Sequence, residues 1–398
     1  MGLKIGFCGA GGFVGAFIPL FKAHPLVEKI AIADLVPERV EKRAREFEIA
    51  DTYRSLDELC KSDVDAICIF TQRWSHGPMA IQALRAGKHV YSAVPMGVSV
   101  DECGEIVRLV EQTGLIYMLG ETSYYYPSTL YCRSRYQAGD FGHITYGEAQ
   151  YYHDMSHGFY DVYKRTGGEN WKATASVPPM LYPTHSLSMI LSVIGGHMTH
   201  VSCLGWKDRG SDDGVFDRDV SLWQNHFSNE SALMRHSDGS MHRINEFRRV
   251  GWNSGVSVHL SLYGTEASYE EQATAQSWVT KPWGQTTDLR SLLKCGPETM
   301  KRASELLTEV ERADFHCGMA AVHPRNRLPE SFKAQSNGHL GSHQFLVDDF
   351  VQALHHRRHP PCHAWAAARY NLPGIVAHES AKRDGERLPI PDFGSGPA

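Results

Sequence analysis

The pattern of apolar and polar positions changes its rhythm once along the chain. Up to about residue 120, short β-rich runs, LKIGFC (3–8), KIAIAD (29–34), DAICIFT (65–71), KHVYSA (88–93) and IYMLGE (116–121), alternate with stretches of helical period such as VPERVEKRAREFEI and HGPMAIQALRAG. Strand–helix alternation of this kind predicts a parallel, doubly wound sheet that binds ligands at the carboxyl ends of its strands. After residue 122 the runs HITYGEAQYYH (143–153), THVSCLGW (199–206), RDVSLWQNHF (218–227) and SVHLSLYGTEASYE (257–270) are longer and more aromatic, with few helices between them. They predict an open, largely antiparallel sheet. The expected fold is therefore α/β: a Rossmann dinucleotide-binding domain over 1–122 and an α+β substrate-binding and oligomerisation domain over 123–398.

Three helices are expected in the second part. PTHSLSMILSVIGG starts after Pro183 and is stopped by Gly195 and Gly196. A second is expected near 298–314, followed by a polar, irregular stretch. A closing helix, SHQFLVDDFVQALHHRR, places Leu346, Phe350 and Leu354 on one face, and the tail RLPIPDFGSGPA is expected to run over the surface.

Composition narrows the function classes. With 398 residues, 42% hydrophobic and 21% charged, and a formal charge of −5 without a basic stripe, the chain is not built for nucleic acid. The N-terminus, MGLKIGFCGAGG, goes straight into a strand, and no apolar run is long enough to span a membrane. Nine cysteines occur without a CxxC pair, which suits reduced thiols in the cytoplasm. The 22 histidines include no HExxH, and ALHHRRHPPCH reads as a helix end, so no metal site is expected. No GxSxG elbow follows a strand.

The first strand runs into Gly9, Gly11, Gly12 and Gly15, a glycine turn opening a helix, where backbone N–H groups can approach a pyrophosphate. Val14 stands where the third glycine of the usual fingerprint would fall. Asp34, 25 residues after Gly9 at the end of the second strand, can accept both ribose hydroxyls and repel a 2′-phosphate, which favours NAD over NADP. Arg39 lies close enough to keep the phosphate alternative open, and a capping role for Asp34 at the following helix is the other reading.

These features, with FTQRWSH (70–76), GKHVYSAVP (87–95) and GDFGHITYGEAQY (139–151) in order, resemble the Gfo/Idh/MocA superfamily of sugar oxidoreductases. In most of that superfamily an E-K-P motif supplies a lysine; here Ala93 and Val94 precede Pro95. A branch with E-V-P consists of NAD-dependent glycoside hydrolases of the α-N-acetylgalactosaminidase and sulfoquinovosidase types. It shares Y-x-H-D, matched by Tyr151, Tyr152, His153 and Asp154, and Y-P-T-H, matched by Tyr182, Pro183, Thr184 and His185. Ala93 departs from its glutamate.

The resemblance implies NAD contacts from Gly9, Gly11, Gly12, Phe13, Val14, Asp34, Arg39, Thr71, Gln72, His76, Val94, Pro95 and Glu121. It further implies a homo-oligomer and a small glycoside as substrate, cleaved by oxidation at C3, elimination, water addition and re-reduction. Tyr151 would be the C2 base, His153 and His185 would assist proton transfer at C3 and water addition, and Tyr182 would position the sugar. Independently of family, His185 falls in the first turn of its helix, where the macrodipole disfavours imidazolium, and Tyr151 and His153 share one face of a strand. Lys164, Arg165 and Lys172 flank TGGENW as a cationic rim for an anionic sugar, with a solvated loop as the other reading, and His343 joins the substrate set from the stretch GHLGSHQFLVDDF. Two alternatives stay open: a sugar dehydrogenase with a relocated base, and a non-catalytic NAD- or sugar-binding protein.

Overall fold

The computed structural model describes residues 2–209, 214–252, 257–295 and 318–396. Six short strands form the first sheet: β1 Leu3–Cys8, β2 Val27–Ala33, β3 Asp51–Tyr53, β4 Ala66–Ile69, β5 His89–Ser92 and β6 Tyr117–Leu119. Their order is β3-β2-β1-β4-β5-β6 and every pair is parallel. Helices such as Pro37–Phe47, His76–Arg85 and Val100–Thr113 connect them. A parallel sheet covered on both faces needs apolar residues at every position, which explains the unbroken burial of β4. The strand order reverses between β1 and β4, so the crevice beyond their carboxyl ends is the ligand position of this fold.

The second sheet has nine strands: β7 Ile144–Tyr152, β8 Met198–Lys207, β9 Phe227–His236, β10 Met241–Phe247, β11 Val258–Gly264, β12 Ala267–Glu271, β13 Gln276–Thr280, β14 Thr286–Asp288 and β15 Leu388–Pro389. The order is β14-β13-β12-β11-β7-β10-β9-β8-β15, antiparallel except for the pair β7–β10. The helix Thr184–Ile194 packs on this sheet with every residue from Thr184 to Leu191 buried.

Several details differ from the pattern reading. Residues 218–226 are turns rather than a strand: the Asp217 carbonyl accepts from the N–H of Val220 and of Ser221, and β9 starts only at Phe227. The run 257–270 is a hairpin, β11 and β12, because Thr265 and Glu266 turn back onto the His143 and Phe141 carbonyls. The helix expected at 298–314 lies outside the described residues. His343–His356 is helical as expected, but a longer helix, Ala364–Lys382, follows it.

Both C-terminal helices return to the first sheet. The Phe350 ring meets Tyr91 at 5.5 Å and Phe21 at 6.4 Å. The Asn371 side chain accepts from Met96 N and donates to the Gly97 carbonyl. Residues far apart in sequence thereby hold the loop after β5, which carries Val94 and Pro95. Among the described residues no helix is long and apolar enough to cross a membrane.

Candidate active site

At the end of β1 the backbone of Gly9 has φ +104°, and a Cβ there would collide with the Phe70 carbonyl, so only glycine closes this turn against β4. Gly11 and Gly12 have open space where a Cβ would stand. Val14 is fully buried, so its side chain fills core that a glycine would leave empty. The carboxylate of Asp34 accepts from Ala10 N at 2.7 Å and from Val36 N at 2.9 Å, tying the glycine turn to the end of β2. Val36, not Asp34, occupies the N-cap of the next helix. Phe13 is 39% exposed and lies edge-on to His339. Arg39 donates to the Arg165 carbonyl.

The loops after β4 and β5 are joined by His76. Its Nδ1 lies 3.0 Å from the Pro95 carbonyl and its Nε2 3.2 Å from that of Thr71. Burial pushes this imidazole down to about 4, and a neutral ring carries one N–H, so it donates to one of the two carbonyls at a time. Thr71 bonds to Ser75 and Met79, and Gln72 caps the short turn that leads into the helix. Ala93 and Val94 are buried, and the Val94–Pro95 bond is cis.

Four residues named from the two motifs converge although they come from different elements. β7 supplies Tyr151, its continuation supplies His153, the end of the 3-10 turn Pro179–Leu181 supplies Tyr182, and the first turn of the helix Thr184–Ile194 supplies His185. The Tyr151 ring lies 5.5 Å from His153, 6.0 Å from Tyr182 and 5.2 Å from His185, centroid to centroid. His185 Nε2 is 3.2 Å from Tyr182 Oη, and its Nδ1 is 2.7 Å from Oε1 of Glu121. The helix start is as expected, but the nearest full charge to the ring is this carboxylate rather than the macrodipole alone.

Glu121 has no exposed surface. Burial alone would raise its carboxyl, but the charge of and hydrogen bond to His185, with help from the Ser123 N–H, outweigh it and hold the group below the ordinary carboxylate value. When the His185 ring is neutral, a carboxylate on Nδ1 holds the proton there and leaves the Nε2 lone pair toward Tyr182.

Burial raises the phenols of Tyr151 and Tyr182, against the pull of two guanidinium groups. Arg248 lies 4.8 Å from the centroid of the Tyr151 ring, and Arg73 lies 4.8 Å from that of Tyr182. His153 is stacked on Phe159 at 3.9 Å, and burial, followed by the charge of Arg248, lowers it to about 3.

The other expected substrate residues are placed elsewhere. Lys164 and Lys172 lie over the Trp171 ring, and the backbone of Arg165 is turned toward Arg39. Residues 155–175 are not a loop but a π-turn and helices with a small core of Met155, Phe159, Tyr163, Ala175, Val215 and Phe216. His343 is buried with its ring 4.3 Å from Phe17. Its neighbour His339 is the histidine near His185 and His153: burial and then the charges of His343, His185 and His153 hold it well below the usual imidazole range. It is presented by consecutive positive φ values at His339 (44°) and Leu340 (53°), a conformation that costs energy outside glycine.

Sequence reasoning passed over Arg73, Arg248 and His339 and gave Glu121 no link to His185. Arg73 was readable as the second residue of the loop after Thr71. Arg248 follows β10, a strand the pattern did not reveal. Among the described residues no group of three or more His, Cys, Asp or Glu side chains is arranged to hold a metal ion.

A parallel Rossmann-like sheet carrying a glycine cradle is combined with an open sheet carrying a tyrosine–histidine cluster. Residues 3–121 match the Gfo/Idh/MocA model, described as an oxidoreductase family with an NAD-binding Rossmann fold. The chain is 31% identical over 200 residues to a glycosyl hydrolase family 109 protein of Shewanella amazonensis, covering 47% of this chain and 44% of that one. It is 30% identical over 200 residues to an α-N-acetylgalactosaminidase of Shewanella oneidensis, covering 47% and 43%. The chain thus matches under half the length of these relatives. Among solved structures, levoglucosan dehydrogenase in complex with NADH and L-sorbose superposes with a TM-score of 0.70 at 17% identity over 99% of this chain and 100% of that one. The scyllo-inositol dehydrogenase of Lactobacillus casei with NAD(H) and scyllo-inositol gives 0.68 at 15% identity over 98% and 99%. At such identities these two likenesses describe the fold.

The residues present fit NAD. The cradle beside Gly11 and Gly12 is space that any Cβ would narrow, and the Asp34 carboxylate closes the end of β2 with a negative charge that disfavours a 2′-phosphate.

Proposed function

We propose that the protein is an NAD-dependent glycoside hydrolase. The observation that carries the reading is the Glu121–His185–Tyr182 relay beside Tyr151 and His153, in a site where Val94 replaces the superfamily lysine. The names of the matched relatives support the same reading.

Gly11, Gly12, Phe13 and Asp34 would hold the dinucleotide, with Thr71, Gln72 and Pro95 flanking it. The chemistry NAD supplies when bound is reversible hydride acceptance from a sugar carbon, which leaves the hydrolysis redox-neutral overall. The protein's own residues move the protons. Glu121 keeps the Nδ1 proton of His185 in place, so Nε2 takes a proton from a sugar hydroxyl directly or through Tyr182. Tyr151 and His153 both enter the reaction neutral. Tyr151 would act as the C2 base: once its phenol has released its proton to solvent, a loss the Arg248 guanidinium 4.8 Å from the ring favours, the phenolate takes the proton made acidic by an adjacent ketone.

The discriminating experiment supplies an aryl glycoside and, separately, the free sugar. Aglycone release at catalytic NAD, with solvent deuterium entering C2 of the product, is expected. Stoichiometric NADH from free sugar without aglycone release would establish a dehydrogenase instead.

A further inference from the structure

Glu246 has no exposed surface and stands in register between two other buried side chains, Tyr151 on β7 and Glu230 on β9. Register partners on neighbouring strands lie about 4.8 Å apart and point to one face of the sheet, so this carboxyl flanks the phenol that would act at C2. Its two oxygens are held by different elements. Oε1 accepts from Ser186 Oγ at 2.6 Å, on the helix that carries His185, and Oε2 lies 3.1 Å from Nη2 of Arg248. The Arg248 guanidinium is 4.8 Å from the centroid of the Tyr151 ring, and its Nη1 donates to the carbonyls of Phe247 at 3.1 Å and Tyr151 at 3.5 Å.

A charge at this place acts on Tyr151 in two ways, and both have the same sign. Ionised, Glu246 offsets the guanidinium that favours a phenolate and adds a negative charge beside the ring; protonated, it leaves the Arg248 charge to the phenol. The balance falls within a working pH range. Burial, with a smaller push from the Glu230 charge, raises the Glu246 carboxyl to about 8 against the pull of Arg248 and Ser186. The groups facing it come from every neighbouring element: Arg248 at the end of its own strand, Tyr151 on β7, Glu230 on β9, and Ser186, which does not titrate, on the helix Thr184–Ile194. Glu230 is itself held by His378 of the helix Ala364–Lys382 at 2.7 Å and by Met180 N at 2.8 Å, so the Arg248 charge is left to Glu246.

We propose that Glu246 is a positioning residue of the reaction: the carboxyl group that sets, through Arg248, how readily Tyr151 becomes the phenolate that takes the C2 proton. Carboxylate and phenolate then compete for one guanidinium, and their titrations are coupled. The role of Tyr151 in turnover rests on the glycosidase reading; the coupling of Glu246 to the phenol does not, and a measurement without turnover separates the two. Glu246→Gln keeps an acceptor oxygen for Ser186, and the two backbone carbonyls keep hold of Arg248, so this variant tests charge rather than shape.

The test places difluorotyrosine, a more acidic phenol, at position 151 of the NAD-loaded protein and follows its fluorine NMR resonance from about pH 6 to about pH 11. The resonance should show a small step as Glu246 ionises near 8 and a large one as the phenol ionises. In Glu246→Gln the small step should vanish and the phenol midpoint should fall by at least about half a pH unit; in Arg248→Gln the midpoint should rise by about one unit or more. Turnover of the 4-nitrophenyl glycosides of glucose, galactose and their 2-acetamido analogues should follow. Above about pH 8.5, Glu246→Gln with the natural tyrosine should outpace wild type by at least about threefold, the same half unit expressed as a rate. A gain separates charge from damage, because a merely structural carboxyl would only cost stability and rate when replaced. An unmoved midpoint in folded Glu246→Gln would overturn the proposal. If that variant does not fold, the unmutated carboxyl decides: a phenol step alone would overturn the proposal, and a preceding step that moves to higher pH in Arg248→Gln, as loss of the ion pair requires, would uphold it. A shifted midpoint in a protein that releases no 4-nitrophenol would uphold the coupling and defeat the hydrolase reading, and release with an unmoved midpoint would do the reverse.

Discussion

His185 Nδ1 lies 2.7 Å from Glu121 Oε1, a pairing between the segment that follows the last strand of the first sheet and the helix Thr184–Ile194. The carboxylate is fully buried and its second oxygen, Oε2, makes no hydrogen bond. A buried carboxylate with an unused oxygen is expensive unless its charge serves the partners on the other, here His185 and the Ser123 N–H. The pairing therefore defines the protonation geometry of the site.

Replacing His185 by alanine should lower glycoside turnover by about two to four orders of magnitude, the range of a general acid or base, while NADH affinity holds. Glu121→Gln keeps the shape but loses the charge, and should lower turnover by about 10- to 100-fold, as loss of an orienting partner does. The double variant should fall no further than His185→Ala alone, because both act through one imidazole. Single-turnover kinetics with NADH binding measured in parallel checks this, and additive losses would mean that Glu121 acts elsewhere.

The glycine turn separates a folding requirement from a binding one. Gly9 has a positive φ and no room for a Cβ, so Gly9→Ala should lower thermal stability markedly, by more than about 1 kcal/mol. Gly11→Ala meets open space, so the melting temperature should stay near wild type while NADH binding weakens. Differential scanning calorimetry and fluorescence titration of the two variants read the two effects independently.

Asp34 joins Ala10 N to Val36 N, and its charge faces the cofactor end of β2. Asp34→Ala removes the acceptor of two backbone hydrogen bonds, each worth about 1 kcal/mol, and the repulsion of a 2′-phosphate. NADH affinity should drop about tenfold or more, and the preference for NADH over NADPH should vanish. Unchanged selectivity in a paired titration would move the discrimination to Arg39.

How far these sites were legible depended on whether their signal was local. The glycine turn, Asp34, and the tyrosine–histidine motifs are set by neighbours in sequence, and the alternating pattern placed each on the right kind of element. β3 was too short and polar to read, and β10 was lost because Met241–Phe247 mixes Arg, Asn and buried His242 and Glu246 with its apolar residues. Missing β10 concealed Arg248. The segment 155–175 looked like a charged loop, since its buried face depends on Val215, Phe216 and Trp74 from distant parts of the chain. The helix Ala364–Lys382 contains Pro373 and is apolar nearly all round, so it has no amphipathic stripe to announce it.

Glu271 offers a pH test away from the active site. It is 3% exposed, accepts from Leu260 N and from Gln276, and burial raises its carboxyl to about 7. Below about pH 4.5 the group is protonated in both folded and unfolded chains, and its contribution is constant. Between about 4.5 and about 7 the unfolded chain ionises while the native state keeps its proton. Stability contributed by this group is therefore lost as pH rises through that window, and the loss levels off above it. Glu271→Gln removes the titration while leaving a side-chain carbonyl for the Leu260 N–H. The stability of wild type relative to the variant should fall from pH 5 to pH 7 and then stay flat, measured by urea unfolding across that range. A difference that is independent of pH would show that Glu271 is ionised in the folded protein.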